Sequence, residues 1–185
     1  MGVIRAINPN IWGESGWIIL HRLSFNIKTM TEIYNLFDSL RIILPCPKCR
    51  NNLIMHLKKC GPPHNIAEIP EFIYKLHKRI NENIENKQRS CITYNQVETI
   101  YKPMGHTMND KEWIFIEAII SVHKGYYKET REYTIALKNF LELWAKYTEN
   151  IESINDTTSK QLLKFWLRKN KKKALMHFTQ CDAPV

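Results

Sequence analysis

Apolar residues recur along this chain at three- and four-residue spacings, and no stretch alternates with the two-residue period of a strand for long. The pattern predicts an all-α protein. Pro9 and Asn10 open a first helix carrying Trp12, Trp17, Leu20, His21, Leu23 and Ser24, which runs to about Asn26. A second begins near Thr31 with Ile33, Leu36, Phe37 and Leu40 on one face. It closes at Leu44-Pro45, because the residue before a proline is pushed out of the helical region.

Pro47 fits the first position of a third helix, with Cys46 at its N-cap and Leu53, Ile54 and Leu57 turned inward; Gly61-Pro62-Pro63 stops it. A fourth helix runs from Pro70 to about Asn86. Thr93 caps a short fifth with Val97, Ile100 and Tyr101 apolar, ended by Pro103. Met104 to Met108 reads as a linker. Beyond it lie helices from Trp113 to about Tyr126, Glu129 to Thr148 and Thr158 to about Phe178, in which Trp113, Trp144 and Trp166 sit in apolar stripes as packing residues. The expected organisation is therefore a front unit, 1–105, and a helical rear region, 106–185, with no internal repeat.

With 44% hydrophobic and 24% charged residues among 185, the chain lies well away from the disordered regime and is long enough for a core of its own. A net charge of +9 raises the question of acidic partners. Much of the excess is in Lys164, Arg168, Lys169, Lys171, Lys172 and Lys173, but no nucleic-acid motif accompanies that run, and a solvated helix face explains it. No apolar stretch approaches the ~20 residues of a membrane span. Met1 to Asn10 lacks the layout of a signal peptide, so a cytoplasmic location is expected. Five cysteines cannot all pair within one chain, and only Cys46 and Cys49 are close in sequence. That count favours a working pair over a disulfide framework.

Cys46-Pro47-Lys48-Cys49 is the sharpest chemical feature. Two thiols separated by two residues at a helix start are close enough to bond, and the helix N-terminus, Lys48 and Arg50 favour a thiolate there. Such a pair can exchange disulfides or give electrons to another acceptor. A thioredoxin-like site would need a βαβ context, which is missing. A zinc site could join Cys46 and Cys49 to His56 and Cys60, or to His64, making the chain a non-enzymatic interaction protein; its spacing is shorter than common finger patterns and no second CxxC exists.

Trp17 and His21 share a face of the first helix, and His77, Asn81 and Ile84 share one on the fourth. Rings, imidazoles and an amide between helices are groups that could clasp a cofactor. Each alone is an ordinary core residue; their coincidence with CxxC is what matters.

The ordered triple Trp17-Ile18-Ile19-Leu20-His21-Arg22-Leu23-Ser24, Cys46-Pro47-Lys48-Cys49 and His77-Lys78-Arg79-Ile80-Asn81-Glu82-Asn83-Ile84 resembles the Erv/ALR flavin-linked sulfhydryl oxidases over about residues 10 to 103. The resemblance implies FAD in a four-helix bundle with a short fifth helix, commonly in a homodimer through the first two helices. It implies cofactor contacts from Trp17, His21, His77 and Asn81, Cys49 next to the isoalloxazine and Cys46 toward a thiol-containing client or shuttle, with molecular oxygen as final acceptor. Gly13, Ile84, Asn86, Lys87 and Tyr101 are further candidates for the cofactor's edge and phosphates. Lys78 stands where the family has Asn, and the family's L-G-K-P ending has become Ile84-Glu85-Asn86-Lys87. Cys91 lacks the near partner of the cellular enzymes, and the short front unit looks more like the versions of large DNA viruses, implying action in a host cytoplasm and on virion proteins. Cys60, Cys91 and Cys181 are left unassigned by spacing. The rear helices resemble nothing we can name.

Overall fold

The computed structural model describes residues 7–82, 92–123, 128–154 and 160–181. Among them are eight α-helices and no strand, so the fold is all-α. Each start has a local cause. Asn8 accepts a hydrogen bond from the Asn10 amide (3.0 Å) and Pro9 fills the first turn of α1, Pro9–Ser24. Thr29 and Glu32 close a reciprocal capping box on α2, Met30–Ile43, and Thr93 with Gln96 repeats the device on α5, Tyr94–Tyr101. Helix α3, Pro47–Cys60, begins on Cys46 as N-cap and stops at Gly61, whose φ of 69° suits glycine. A single 3-10 turn then leads into α4, Ile69–Glu82.

The rear helices are α6, Glu112–Ser121; α7, Lys128–Lys146; and α8, Lys160–Cys181. The first of these ends about five residues before the apolar pattern suggested. On α5, Val97 is buried and Tyr101 half-buried, while Ile100 falls at the edge of that stripe and is 51% exposed.

Front and rear share one core. Helix α1 packs on α4 and α5 on one side and on α6 on another, while α2 lies between α3 and α7. Buried side chains continue from Ile19, Leu36 and Ile73 through to Phe115, Phe140 and Trp144. Gly16 makes the α1–α6 approach possible, since a Cβ there would meet the Phe115 ring at 3.2 Å. Trp113 and Trp144 meet edge to face with centroids 5.3 Å apart, and Trp144 meets Trp166 in the same way. All three tryptophans pack as expected.

A polar tie runs through that apolar seam. Arg22, fully buried on α1, gives a two-pronged pair to Glu112 of α6, Nε to Oε1 and Nη2 to Oε2, both at 2.8 Å. Arg22 also donates to the Tyr147 carbonyl and the Thr148 hydroxyl, and Trp144 Nε1 donates to Glu112 Oε2 at 2.8 Å. Glu32 of α2 receives Lys146 and the Tyr147 hydroxyl of the rear region. Burial pushes the Glu32 carboxyl up, but Lys146, the Lys28 and Thr29 amides and Tyr147 outweigh it and hold it at about 2.

Candidate active site

Cys46 and Cys49 are joined as a disulfide across the first turn of α3, with Cα atoms 5.1 Å apart. The N-cap geometry brings them together: the Cys49 amide points back along the helix and donates to Cys46 Sγ at 3.2 Å. Cys46 is buried and Cys49 half-buried.

The approach to this pair is held carbonyl by carbonyl. The Ile43 carbonyl accepts from the Tyr133 hydroxyl of α7 (3.3 Å), that of Leu44 from Arg50 Nε (2.7 Å), that of Pro45 from the Ile7 amide (3.2 Å) and that of Cys46 from the Arg50 amide (3.1 Å). Arg50 thus folds its guanidinium back past the N-cap toward the chain preceding it. A fixed cation sits near the start of a helix whose first turn has no acidic residue, an environment that favours thiolate over thiol once the disulfide is opened.

A second cluster gathers on α1, α4 and α5. The Trp17 indole stacks on the His77 ring, centroids 4.0 Å apart and planes within 11°. His21 Nε2 lies 3.0 Å from His77 Nδ1, and the His21 ring stacks on Tyr101 at 5.0 Å. Burial, reinforced by His77, lowers the His21 pKa to about 3, so the His21 ring is neutral at ordinary pH where it meets His77. Burial raises the Tyr101 phenol, with Glu14 and Glu112 adding to it.

His21 Nδ1, His56 Nδ1 and Asn81 Oδ1 are buried without a hydrogen-bond partner in the protein, the kind of group a native fold leaves only with reason. Asn81 lies one turn beyond His77 on α4, and Gly13 one turn before Trp17 on α1, with nothing within 4 Å of the place its Cβ would take. Ile84, Asn86, Lys87 and Cys91 lie outside the described residues, as does the side chain of Cys181. Cys60 is a free, half-buried thiol at the end of α3.

The zinc alternative has no assembled ligand set. Cys46 and Cys49 are bonded to each other, and among the described residues no three of His, Cys, Asp and Glu are grouped to hold a metal ion. Two roles at this site were not legible in the sequence. Tyr133 reaches it from ninety positions away, and Arg50 was legible as a charge but not as the clamp on Leu44.

No family model matches the chain, and no solved structure matches it significantly. A probable FAD-linked sulfhydryl oxidase of Acanthamoeba polyphaga mimivirus is 30% identical over 122 residues, a match covering 60% of this chain and 83% of that protein. A likeness of that extent, in a chain that also has a CxxC disulfide at a helix start and an indole–imidazole cluster between helices, shows the family: the chain belongs to the FAD-linked sulfhydryl oxidases.

Proposed function

We propose that this protein oxidises dithiols of client or shuttle proteins to disulfides at Cys46–Cys49, with oxygen reduced to hydrogen peroxide. The observation that carries the reading is the Cys46–Cys49 disulfide capping α3 with every carbonyl from Ile43 to Cys46 held in place. FAD, when bound, accepts two electrons from the protein dithiol and delivers them to oxygen.

The residues present fit that cofactor. Flat rings at Trp17, His77, His21 and Tyr101 suit stacking on planar groups, and the unpartnered His21 Nδ1 and Asn81 Oδ1 offer polar contacts that the protein itself leaves unused. We assign Trp17, His21, His77, Asn81 and Tyr101 to its binding. Gly13, Ile84, Asn86 and Lys87 are assigned to its edge and phosphates on the family pattern, with Cys49 as the cysteine on the cofactor's side.

In the client half-reaction a client thiolate attacks Cys46 Sγ, the Cys46–Cys49 bond breaks and Cys49 leaves as thiolate. Cys49 is the leaving group because the family pattern puts it on the cofactor's side, while the helix start, whose Cys49 amide donates to Cys46 Sγ, eases the later release of Cys46 as thiolate. A second client thiolate then attacks the client sulfur of the mixed disulfide. It releases reduced Cys46 and forms the client disulfide, so two client thiols have lost two electrons and two protons.

The similarity to a mimivirus protein supports a role in disulfide formation for a large DNA virus, in the host cytoplasm and on virion proteins. The homodimer through α1 and α2 that the family resemblance implies is not carried into this reading, because α6 lies along α1 and α7 along α2 within one chain. The division at about residue 105 becomes one of function rather than of packing.

Cys49→Ser is expected to keep FAD through gel filtration, read as visible absorbance, while oxygen uptake with dithiothreitol falls to background. Parent-like uptake would refute the assignment. His77→Ala is expected to lose flavin on the column, and retention equal to the parent would remove His77 from the binding set.

A further inference from the structure

Helix α8 turns a basic outer face to solvent. From Lys160 to Cys181 the helix contains no aspartate or glutamate. Its inner face is buried through Leu163, Trp166 and Asn170, with Trp166 Nε1 donating to the Glu152 carbonyl at 2.9 Å. On the opposite side Phe165 is 67% exposed, the most exposed large apolar residue among those described, and Leu162 is 49% exposed.

At about 100° per residue, Phe165 lies at the centre of the outward face, with Lys172 and Lys169 within about 40° of it and Arg168 about 60° away. Lys169 pairs with Glu152, and inward-turned Lys171 with Glu117. Lys164, Arg168 and Lys172 have no carboxylate partner among the described residues. An aromatic side chain is thus held out in the solvent with uncompensated cations along one flank, Lys172, Arg168 and Lys164 lying about 20°, 60° and 100° from it on the same side.

We infer that this face is a docking surface for a bilayer carrying anionic lipid, with Phe165 entering the headgroup boundary and Lys164, Arg168 and Lys172 meeting lipid phosphates and carboxylates. The physical case is the combination. Cations alone would serve any polyanion, but a protruding ring beside an aliphatic Leu162 gains most where an acyl boundary receives it, while the long basic stems reach back to the charged layer. A single strand of nucleic acid would call for further flat rings on which successive bases could stack, and among its described side chains this face has one. No described helix is long and apolar enough to cross a membrane, so the contact is one of lying on the surface.

The test uses the full flavin-loaded chain and co-sedimentation with vesicles of phosphatidylcholine, with and without about one third phosphatidylserine. The expected result is at least about tenfold stronger partition onto the anionic vesicles, weakened by added salt. Phe165→Ala is expected to reduce it severalfold, and the doublet Lys164→Glu/Arg168→Glu to remove it. Both changes lie on exposed side chains, and retained flavin absorbance shows that the variants are folded. Equal binding to neutral vesicles, no binding to either, indifference to both variants, or preference for polyglutamate or a single-stranded oligonucleotide would each overturn the proposal. None of these outcomes depends on thiol oxidation.

Discussion

Helices α1 to α5 carry the residues to which chemistry is assigned, and α6 to α8 carry much of what keeps them in place. The front region is dense in short motifs, with CxxC at the start of α3 and imidazoles at positions 21 and 77. The rear has no motif, yet it supplies Glu112 to the fully buried Arg22, the residue next to His21, and Tyr133 to the chain leading into Cys46. A redox site can thus be recognisable in one half of a sequence while its rigidity is written in the other. The rear region is needed although it holds none of the assigned catalytic groups: α1 and α2 are apolar on two sides, and α6 and α7 cover the second.

The strongest way to break that comparison is to remove the tie. Glu112→Ala leaves the Arg22 guanidinium buried without its partner and costs Trp144 Nε1 its acceptor, so we expect a loss of about 3–5 kcal/mol in urea unfolding. Flavin should be lost with the fold rather than before it. The double change Arg22→Met with Glu112→Leu should recover most of the stability, since two apolar side chains replace a desolvated pair. If Glu112→Ala unfolds only the rear region and leaves a flavin-binding front, the two regions are independent and the comparison fails.

Acid distinguishes the site from the seam. His21 takes up its proton in the unfolded chain near 6.5 but in the fold only near 3, so stability falls as pH drops through that window. Glu32 behaves as a paired carboxylate: its contribution is complete above about 4.5 and disappears as pH falls toward 2. Thermal midpoints against pH should therefore decline in two overlapping steps. Glu32→Gln should flatten the lower step and His21→Asn the upper one. A parent curve level between pH 6.5 and 4.5 would contradict the buried neutral state of His21.

How much of this was legible beforehand follows from the range of the interactions. Three helix starts were readable because Pro9, Pro47 and Thr93 act within one turn of themselves, whereas α2, expected near Thr31, is capped two residues earlier by Thr29; the all-α class followed from the apolar period. The CxxC pair was readable because its chemistry requires nearness in sequence. The end of α6 was missed because the apolar pattern runs on after Ser121 although the helix does not. Arg22 with Glu112, and Tyr133 with Ile43, each span ninety positions. Nothing in an arginine or a tyrosine announces a partner so far away, and only the packing of α6 and α7 against α1 and α2 brings them together. Ile84, Asn86 and Lys87, assigned on the family pattern, lie outside the described residues.

The finest probe of the contrast is Tyr133→Phe. The hydroxyl donates to the Ile119 carbonyl at 2.6 Å and lies 3.3 Å from that of Ile43, and these belong to the C-terminal turns of α6 and α2, where carbonyls have no partner within their own helix. One phenol, raised in pKa by its burial, thus lies between two helix ends, its single proton directed to Ile119 with Ile43 as the longer arm. Its removal leaves both under-satisfied, which is expected to cost about 1–2 kcal/mol, far less than loss of Glu112 because no charge is stranded. The ring still fills its space, so flavin retention should match the parent. What should change is the chain before Cys46, which keeps the Arg50 and Ile7 contacts and the Leu44 amide's bond to the Leu40 carbonyl, and amide exchange at Leu44 should quicken before global unfolding begins. Exchange that quickens equally throughout α1 to α5 would mean that Tyr133 acts on the bundle as a whole and has no particular hold on the redox pair.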